Sequence, residues 1–213
     1  MSGIRENDPK GNKVKWDAKK DQRIRYLARR IANHIAPTLA GEKPATLMNL
    51  SNSCNGLFDL WNEFNKDIFH AGNIGYCELR RGDTNVIVLF FCRHKIDELL
   101  GTEDIRQFLS LIGYNTLSLE DALRILKSRY NPPPFPHELG VFLGIPLKDV
   151  KAFMGLNSLP YIFTSMWGVY GDSELSLGVM GRYRRAGNGI RRLLSSGEDP
   201  IEMINGVVNR NHN

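Results

Sequence analysis

The feature that most constrains this chain is an uninterrupted apolar run of seven residues, Val86 to Cys92. A strand that is apolar at every position needs cover on both faces, whereas an alternating strand needs cover on one face. Gly75 to Leu79 precedes this run across Arg80–Thr84, a short polar link that contains glycine, and this pattern predicts a β-hairpin. Because helical periodicity dominates the remaining chain, we expect an α+β fold. In it, helices cover a small antiparallel sheet built around the hairpin, with Val86–Cys92 as the central strand.

Apolar residues at helical spacing predict most of the other elements. The first helix is expected from about Asp17, and its buried face is predicted to contain Ile24, Leu27, Ala28, Ile31 and Ile35. Further helices are predicted at 57–69, 96–100, 102–112, 119–130, 136–144, 147–154 and 200–208.

Three segments have less regular patterns. Residues 34–44 contain two prolines and a glycine, which favour a loop. Residues 161–170 are aromatic and β-branched, which favours a strand or extended segment. A helix from Asp172 is expected to be interrupted, because four glycines fall within it at 178, 181, 187 and 189.

The polar start of the chain differs from everything that follows. Residues 1–15 are aperiodic and rich in glycine and lysine, so we expect a mobile basic arm followed by a single domain at 16–213. Residues 131–136 contain four prolines, which make a stiff connector and a candidate subdomain boundary within that domain.

Positive charge is concentrated near the two ends. The net charge is +5, but residues 1–30 carry ten Lys or Arg against four acids, and residues 182–192 carry five arginines and no acid. Residues 31–181 are mildly acidic, with twelve basic and sixteen acidic residues. Such local basic segments favour a polyanionic partner, with an ordinary solvated surface as the alternative.

Residues 137–153 have the pattern of a helix-turn-helix pair. Gly140 allows two helices to approach closely and Gly144 suits the turn between them. The second helix offers Lys148 and Lys151 but no Arg, Asn or Gln that would contact base edges, so contact with phosphates is favoured over base readout. Two ordinary packed helices are the alternative. The predicted nucleic-acid-binding residues are Lys19, Lys20, Arg23, Arg30, Lys148, Lys151, Arg182, Arg184, Arg185, Arg191 and Arg192.

Gly187-Asn188-Gly189 precedes two of these arginines and could expose backbone N–H groups to an anion. A loop between two helices is the favoured interpretation of this segment.

His137 and Glu138 are the candidate catalytic residues, because an imidazole beside a carboxylate can act as a general acid or base. The favoured alternative is that Glu138 complements the N-terminus of a helix and His137 caps it. A ligand pocket is also considered where the 37–44 loop meets the 136–144 helix, lined by His34, Lys43, His137 and Glu138.

Several classes of protein lack support in the sequence. No apolar run reaches the roughly 18 residues that span a bilayer, and no apolar leader follows the N-terminus. The three cysteines match no zinc framework, and no nucleotide-binding or α/β-hydrolase motif occurs. We therefore expect a cytoplasmic protein with no metal, no cofactor and no membrane partner; whether it is an enzyme stays open.

Three segments of the chain resemble a largely clostridial family, domain of unknown function 3793. They are the two motifs Ala36–Ala45 and Phe135–Val150, which occur in the order of the family, and Phe108–Tyr114 between them. The resemblance runs from about Asn33 to Tyr170. It implies an intracellular bacterial protein of anaerobic Gram-positive type, and it implies no activity.

This chain departs from the family pattern at two places. Ile35 follows His34 where family members often have cysteine, and Tyr161–Trp167 lacks the cysteine that members tend to carry. Thiol chemistry at either place is therefore not expected here. The basic arm and the Arg-rich segment are interpreted as additions to the family, which favours a specialised partner.

Three hypotheses follow. The first is a nucleic-acid-binding protein that contacts phosphates through its basic segments, and the second is a small-molecule or catalytic pocket near His137. The third is an adaptor whose basic ends bind an acidic protein. We rank nucleic acid, DNA or RNA, first because the charged segments set this chain apart from the proteins that it resembles.

Overall fold

The structure is a computed structural model that describes residues 10–70, 72–115, 118–131 and 134–206, with side chains from residue 18 onward. Its main sheet is antiparallel with strand order β1-β3-β2, where β1 is Ala45–Ser51, β2 is Ile74–Arg81 and β3 is Asn85–Cys92. The predicted hairpin and the central position of its second strand are confirmed. β1 is a third strand that the sequence pattern does not predict, because polar residues interrupt its apolar positions.

Helices and a second, two-stranded sheet account for the other regular elements of the described ranges. The sheet consists of β4 (Tyr161–Thr164) and β5 (Gly168–Tyr170). The helices are α1 (Lys10–His34), α2 (Ala36–Leu39), α3 (Leu57–Ile68), α4 (Arg93–Gly101), α5 (Glu103–Leu111), α6 (Leu119–Tyr130), α7 (Leu139–Phe142), α8 (Leu147–Phe153), α9 (Glu174–Ser195) and α10 (Pro200–Asn205).

The two faces of β3 belong to two different cores. Val86, Val88 and Phe90 pack with α1, α3, α10 and the end of α9. Ile87, Leu89 and Phe91 alternate with them and pack with α4 to α8. Both faces of the strand are therefore covered, and the α+β class is confirmed.

The first helix begins earlier than expected, at Lys10 instead of Asp17. Its buried stripe agrees with the prediction, since Leu27, Ile31 and Ile35 are fully buried. Residues 10–16 have no apolar stripe at helical spacing, so the pattern that predicts the rest of α1 gives no sign of this earlier start. Residues 1–9 of the predicted arm lie outside the described residues.

The predicted loop at 34–44 is partly helical. The single-turn α2 occupies Ala36–Leu39, and Pro37 lies in its first turn, where its missing N–H group costs no hydrogen bond. The prediction of a loop across this whole segment is therefore wrong.

The expected interruption of the helix after Asp172 is also wrong, because α9 is continuous over 22 residues. Its buried side includes Val179, Met180 and Tyr183, whose packing offsets the weak helix propensity of glycine. Gly187 has a packing role, since a Cβ atom there would lie 3.2 Å from Pro37 of α2.

Residues on both sides of the proline-rich connector belong to the same core. Tyr130 precedes it and Leu139 follows it, and both belong to the second core. The boundary expected at 131–136 stays a prediction. Within the ranges that the structure describes, none of the helices has the length and apolar character that crossing a bilayer requires.

Candidate nucleic-acid interface

Five arginines form a row on the solvent side of α9, which we call the α9 arginine row. All five are exposed, and none forms an ion pair with a carboxylate of the described residues. The opposite side of the same helix is buried, which fixes the direction in which the row points. The row consists of Arg182, Arg184, Arg185, Arg191 and Arg192.

Two arginines of the row have neutral partners. Arg184 donates to Ser165 Oγ at 3.1 Å and Arg191 donates to Asn188 Oδ1 at 3.3 Å. Hydrogen bonds to neutral oxygens leave the positive charge uncompensated. The whole segment from 175 to 197 lacks Asp and Glu, so the charge of this surface is available to an anion.

The basic side of α1 differs, although its sequence looks equally basic. Arg23 forms a two-pronged ion pair with Glu63 at 3.0 and 2.6 Å, and Lys20 lies 3.4 Å from Asp67. Both carboxylates lie on α3, which packs beside α1. Of the four predicted binding residues of α1, only Lys19 and Arg30 are exposed without an ion pair in the described part of the chain.

The predicted helix-turn-helix pair has part of the expected shape but not the expected surface. Gly140 allows close packing, since a Cβ atom there would lie 3.0 Å from Val150, and Gly144 has a positive φ of 73°. However, α7 is a single turn, and the residues 147–152 of α8 are all buried or half-buried. A recognition helix needs an exposed side, so reading of base edges by α8 is not supported.

Lys148 and Lys151 are consequently poor phosphate ligands. Lys148 Nζ donates to Asp149 Oδ1 at 2.8 Å and to the Tyr170 carbonyl at 2.7 Å, which directs it into the protein. Lys151 Nζ lies over the Phe108 ring, 5.7 Å from its centroid.

Gly187-Asn188-Gly189 is neither a loop nor an anion site. It lies inside α9, where backbone N–H groups donate to carbonyls of the preceding turn. Both interpretations of this segment are therefore wrong, and the arginine side chains alone provide the positive charge.

The sequence gives no signal for the buried carboxylate that holds this region together. Asp149 is 1% exposed and accepts hydrogen bonds from Ser176 Oγ at 2.6 Å, Trp167 Nε1 at 2.9 Å and the Tyr170 N–H at 3.0 Å, besides Lys148. Burial alone would raise the pKa of Asp149, but these donors outweigh it and hold the pKa below its usual range. The carboxylate thereby joins α8 to β5 and to the start of α9.

Glu138 occupies the N-cap position of α7, at the N-terminus of a helix as predicted, but its side chain forms no cap hydrogen bond. It forms an ion pair with Arg129 at 3.0 Å and accepts from the Tyr114 hydroxyl at 3.3 Å. The interpretation of His137 as the capping residue is therefore wrong. Burial, and next the charge of Glu138, raise the pKa of Tyr114.

The four residues of the predicted ligand pocket are not brought together. His34 Nε2 lies 3.0 Å from the Leu47 carbonyl, and Lys43 Nζ lies 5.8 Å from the centroid of the Tyr183 ring. Burial lowers the pKa of Lys43. The 37–44 loop does meet the 136–144 segment, where Pro44 packs so closely that a Cβ atom on Gly144 would lie 2.6 Å from it.

A cavity of about 340 Å³ does exist where α7, α8 and the β4–β5 turn meet. His137 is the only one of the four that lines it, together with apolar side chains of α7, α8 and the β4–β5 turn such as Val150, Phe153 and Trp167. The His137 ring stands edge-on to Phe153 with 5.0 Å between centroids. This cavity suits a mostly apolar small molecule.

A thiol and an imidazole also meet at the start of α4. Cys92 Sγ lies 3.2 Å from His94 Nδ1 and accepts from Asn73 Nδ2 at 3.1 Å. Cys92 is buried, and this burial raises the pKa of its thiol, which favours the unreactive protonated form. Within the described ranges, no three His, Cys, Asp or Glu side chains are grouped as metal ligands would be.

Comparison with known proteins gives one match. No curated protein and no solved structure matches this chain. A family model matches residues 31–204, which include the α9 arginine row, so the interpretation of the Arg-rich segment as an addition to the family is wrong. The basic segment 1–30 lies outside the match. The predicted resemblance is confirmed, and the chain belongs to the family described as protein of unknown function (DUF3793).

Proposed function

We propose that the protein binds nucleic acid by contacting phosphates with the α9 arginine row. The observation that carries the proposal is five exposed arginines on the solvent-exposed half of one helix, without an acidic partner in the described part of the chain. Arginine presents a planar fork of donors that matches phosphate oxygens, and this supports phosphate as the group that is bound.

The spacing of the row supports contact with an extended polyanion. Arg184 and Arg191 are separated by seven residues, as are Arg185 and Arg192, so each pair spans about 10 Å along the helix. This distance covers a few successive phosphates of a strand. The row therefore contacts several phosphates at once, and its affinity falls steeply as salt is added.

The test compares two variants, each of which removes four positive charges from one of the two helices. Replacing Arg184, Arg185, Arg191 and Arg192 with Gln is expected to weaken binding about a hundredfold near 100 mM salt, because each lost contact flattens the salt slope by up to about 0.9 on duplex DNA. The control replaces Lys19, Lys20, Arg23 and Arg30 with Gln, which lowers the net charge equally. We expect the control to weaken binding much less, and titration by fluorescence anisotropy at several salt concentrations compares them.

Two outcomes contradict the proposal. Equal losses in both variants would mean that net charge alone attracts the polyanion. A wild-type protein that binds neither DNA nor RNA near 100 mM salt would favour an acidic protein as the partner of the row.

The cavity beside His137 favours a second candidate function, the binding of an apolar small molecule. Its volume and lining carry this candidate, and the exposed imidazole at its rim supplies a polar contact. Native mass spectrometry of the purified protein tests it. A bound molecule in the wild type that is lost in His137→Ala supports it, whereas His137→Ala leaves phosphate binding unchanged.

A further inference from the structure

Exposed apolar side chains are concentrated in the segment that precedes the α9 arginine row in the chain. Of the twelve large apolar side chains that are exposed among the described residues, eight lie between 153 and 177. Clusters of this kind mark binding surfaces, whereas isolated exposed apolar residues are ordinary. The eight are Phe153, Leu156, Leu159, Tyr161, Ile162, Met166, Leu175 and Leu177.

The β4–β5 hairpin presents part of this cluster to solvent. The register of its pairing shifts between Tyr161 and Phe163, and both Tyr161 and Ile162 are exposed, by 57% and 48%. Val169 on the paired strand is fully buried and anchors the hairpin to the protein. Met166, in the turn, is 47% exposed. We call Tyr161, Ile162 and Met166 the hairpin platform.

A chain of contacts joins the platform to the arginine row. The Tyr161 hydroxyl lies 3.0 Å from Thr164 Oγ1, and the next residue, Ser165, accepts the hydrogen bond from Arg184. An exposed aromatic ring and an uncompensated guanidinium group therefore lie on one continuous surface.

The platform is held rigidly, although a two-stranded sheet alone is marginally stable. Asp149 accepts hydrogen bonds from Trp167 and from the Tyr170 N–H of the hairpin, and from Ser176 of α9. The hairpin and the arginine row are thus fixed to the same buried carboxylate. A surface that is ordered before binding loses little entropy when a ligand arrives.

This combination of groups distinguishes two forms of nucleic acid. In a duplex the faces of the bases are stacked on one another, so an apolar side chain beside a phosphate contact has nothing to cover. In a single strand the bases can leave the stack and lie on aromatic or apolar side chains while arginines hold the phosphates. The charge of the row and the apolar character of the platform both suit the second form.

We propose that the α9 arginine row and the hairpin platform together bind single-stranded nucleic acid, with a base stacked on the Tyr161 ring. This inference rests on the proposed function. Arg184 and Arg185 hold the phosphates next to that base, and Ile162 and Met166 contact the neighbouring bases. Contact is with the faces of the bases, so the surface tolerates many sequences.

The test compares three probes of equal length by fluorescence anisotropy. They are an oligothymidylate of about 12 nucleotides, the same backbone with abasic sites, and a duplex of about 12 base pairs. We expect the wild type to bind the oligothymidylate at least about tenfold more tightly than the abasic strand. Because the two probes carry the same phosphates, this difference measures the contribution of the bases.

Substitutions then assign that contribution to the platform. Tyr161→Leu is expected to weaken binding to the oligothymidylate about tenfold and to leave binding to the abasic strand unchanged. Tyr161→Phe keeps the ring and is expected to bind as the wild type does. Tyr26→Leu removes the exposed tyrosine of α1 and serves as the matched control, with no change expected. Ile162→Ser is a second platform variant, and circular dichroism melting checks that each variant is folded.

Each result bears on one proposal or the other. Equal affinity for the duplex and the single strand, with no effect of Tyr161→Leu, overturns this inference and leaves the proposed function intact. Absence of binding to all three probes overturns both. Binding to vesicles that contain phosphatidylglycerol, but not to the oligothymidylate, identifies an anionic lipid surface as the occupant and also overturns both.

Discussion

Two helices of this protein are basic in the sequence, and they present their positive charge differently in the structure. On α1, Lys20 and Arg23 are paired with carboxylates of α3. On α9, five arginines are exposed with no carboxylate partner among the described residues. The acids that pair with Arg23 and Lys20 lie about forty residues further along the chain, at 63 and 67, and Lys19 and Arg30 of α1 have no ion pair among the described residues. A count of charged residues in a segment therefore does not show how many of those charges are free to bind a partner.

The largest difference between the two helices is expected in stability. Asp149→Ala leaves Lys148, Ser176 and Trp167 without their acceptor at the start of α9 and its hairpin, and we expect this to cost about 3–5 kcal/mol. Glu63→Gln on the α1 side breaks an exposed ion pair and is expected to cost less than about 1 kcal/mol.

Urea denaturation of both variants at neutral pH provides the free energies of unfolding. Similar costs for the two substitutions would contradict the view that the α9 surface depends on a buried carboxylate whereas the α1 surface depends on exposed pairs.

An acid placed on α9 is expected to convert its surface into one like that of α1. Asn188 lies three or four residues from Arg184, Arg185, Arg191 and Arg192, so the carboxylate of Asn188→Glu can pair with any of them. We expect the affinity for an oligonucleotide near 100 mM salt to fall about tenfold. Asn188→Gln is the control of equal size, and anisotropy titration is the measurement. An unchanged affinity would show that phosphates are bound elsewhere.

The converse change is expected to have a smaller effect. Replacing Glu63 with Gln and Asp67 with Asn frees Arg23 and Lys20, and we expect the affinity to rise about threefold, with a steeper salt slope. The control neutralises two exposed acids of α5 and α6, Asp104→Asn and Glu120→Gln, which changes the net charge by the same amount. If the control raises the affinity equally, net charge is responsible and the pairing on α1 has no local effect.

The fold could be predicted from the sequence where the signal is local. The doubly apolar strand Val86–Cys92 predicts its own central position, and the stripe of Leu27 and Ile31 predicts the buried side of α1. β1 and the continuity of α9 escape prediction because both depend on pairing and packing with distant residues, such as the contact of Gly187 with Pro37.

The candidate site divides in the same way. The five arginines of α9 are visible as a cluster in the sequence. The sequence does not show that they are exposed and have no carboxylate partner among the described residues. Asp149 lies in an unremarkable Leu-Lys-Asp-Val segment, and its partners at Trp167, Tyr170 and Ser176 are 18 to 27 residues away. The hairpin platform escapes prediction for a similar reason, because an aromatic segment of this kind is more often buried than exposed.

The smallest expected difference between the two regions is in their response to acid. Asp149 accepts the hydrogen bonds that stabilise the start of α9. Asp199 caps α10 and pairs with Arg25 of α1. Burial raises the pKa of each carboxyl, but hydrogen bonds and nearby cations outweigh it, so both pKa values lie below the ordinary value of 3.8. A carboxyl with a lowered pKa in the folded state stabilises the protein above its unfolded-state pKa. This contribution is lost as the pH falls through the folded-state value.

The wild type should therefore be more stable than Asp149→Asn at neutral pH, and this difference in free energy of unfolding should shrink as the pH falls below about 4. The difference between the wild type and Asp199→Asn should shrink in the same way but be smaller, because the Asp199 carboxyl is more exposed to solvent. Urea denaturation at neutral pH, near pH 4 and near pH 3 measures these differences. If the difference between the wild type and Asp149→Asn stays constant on acidification, the buried carboxyl is not ionised in the folded protein.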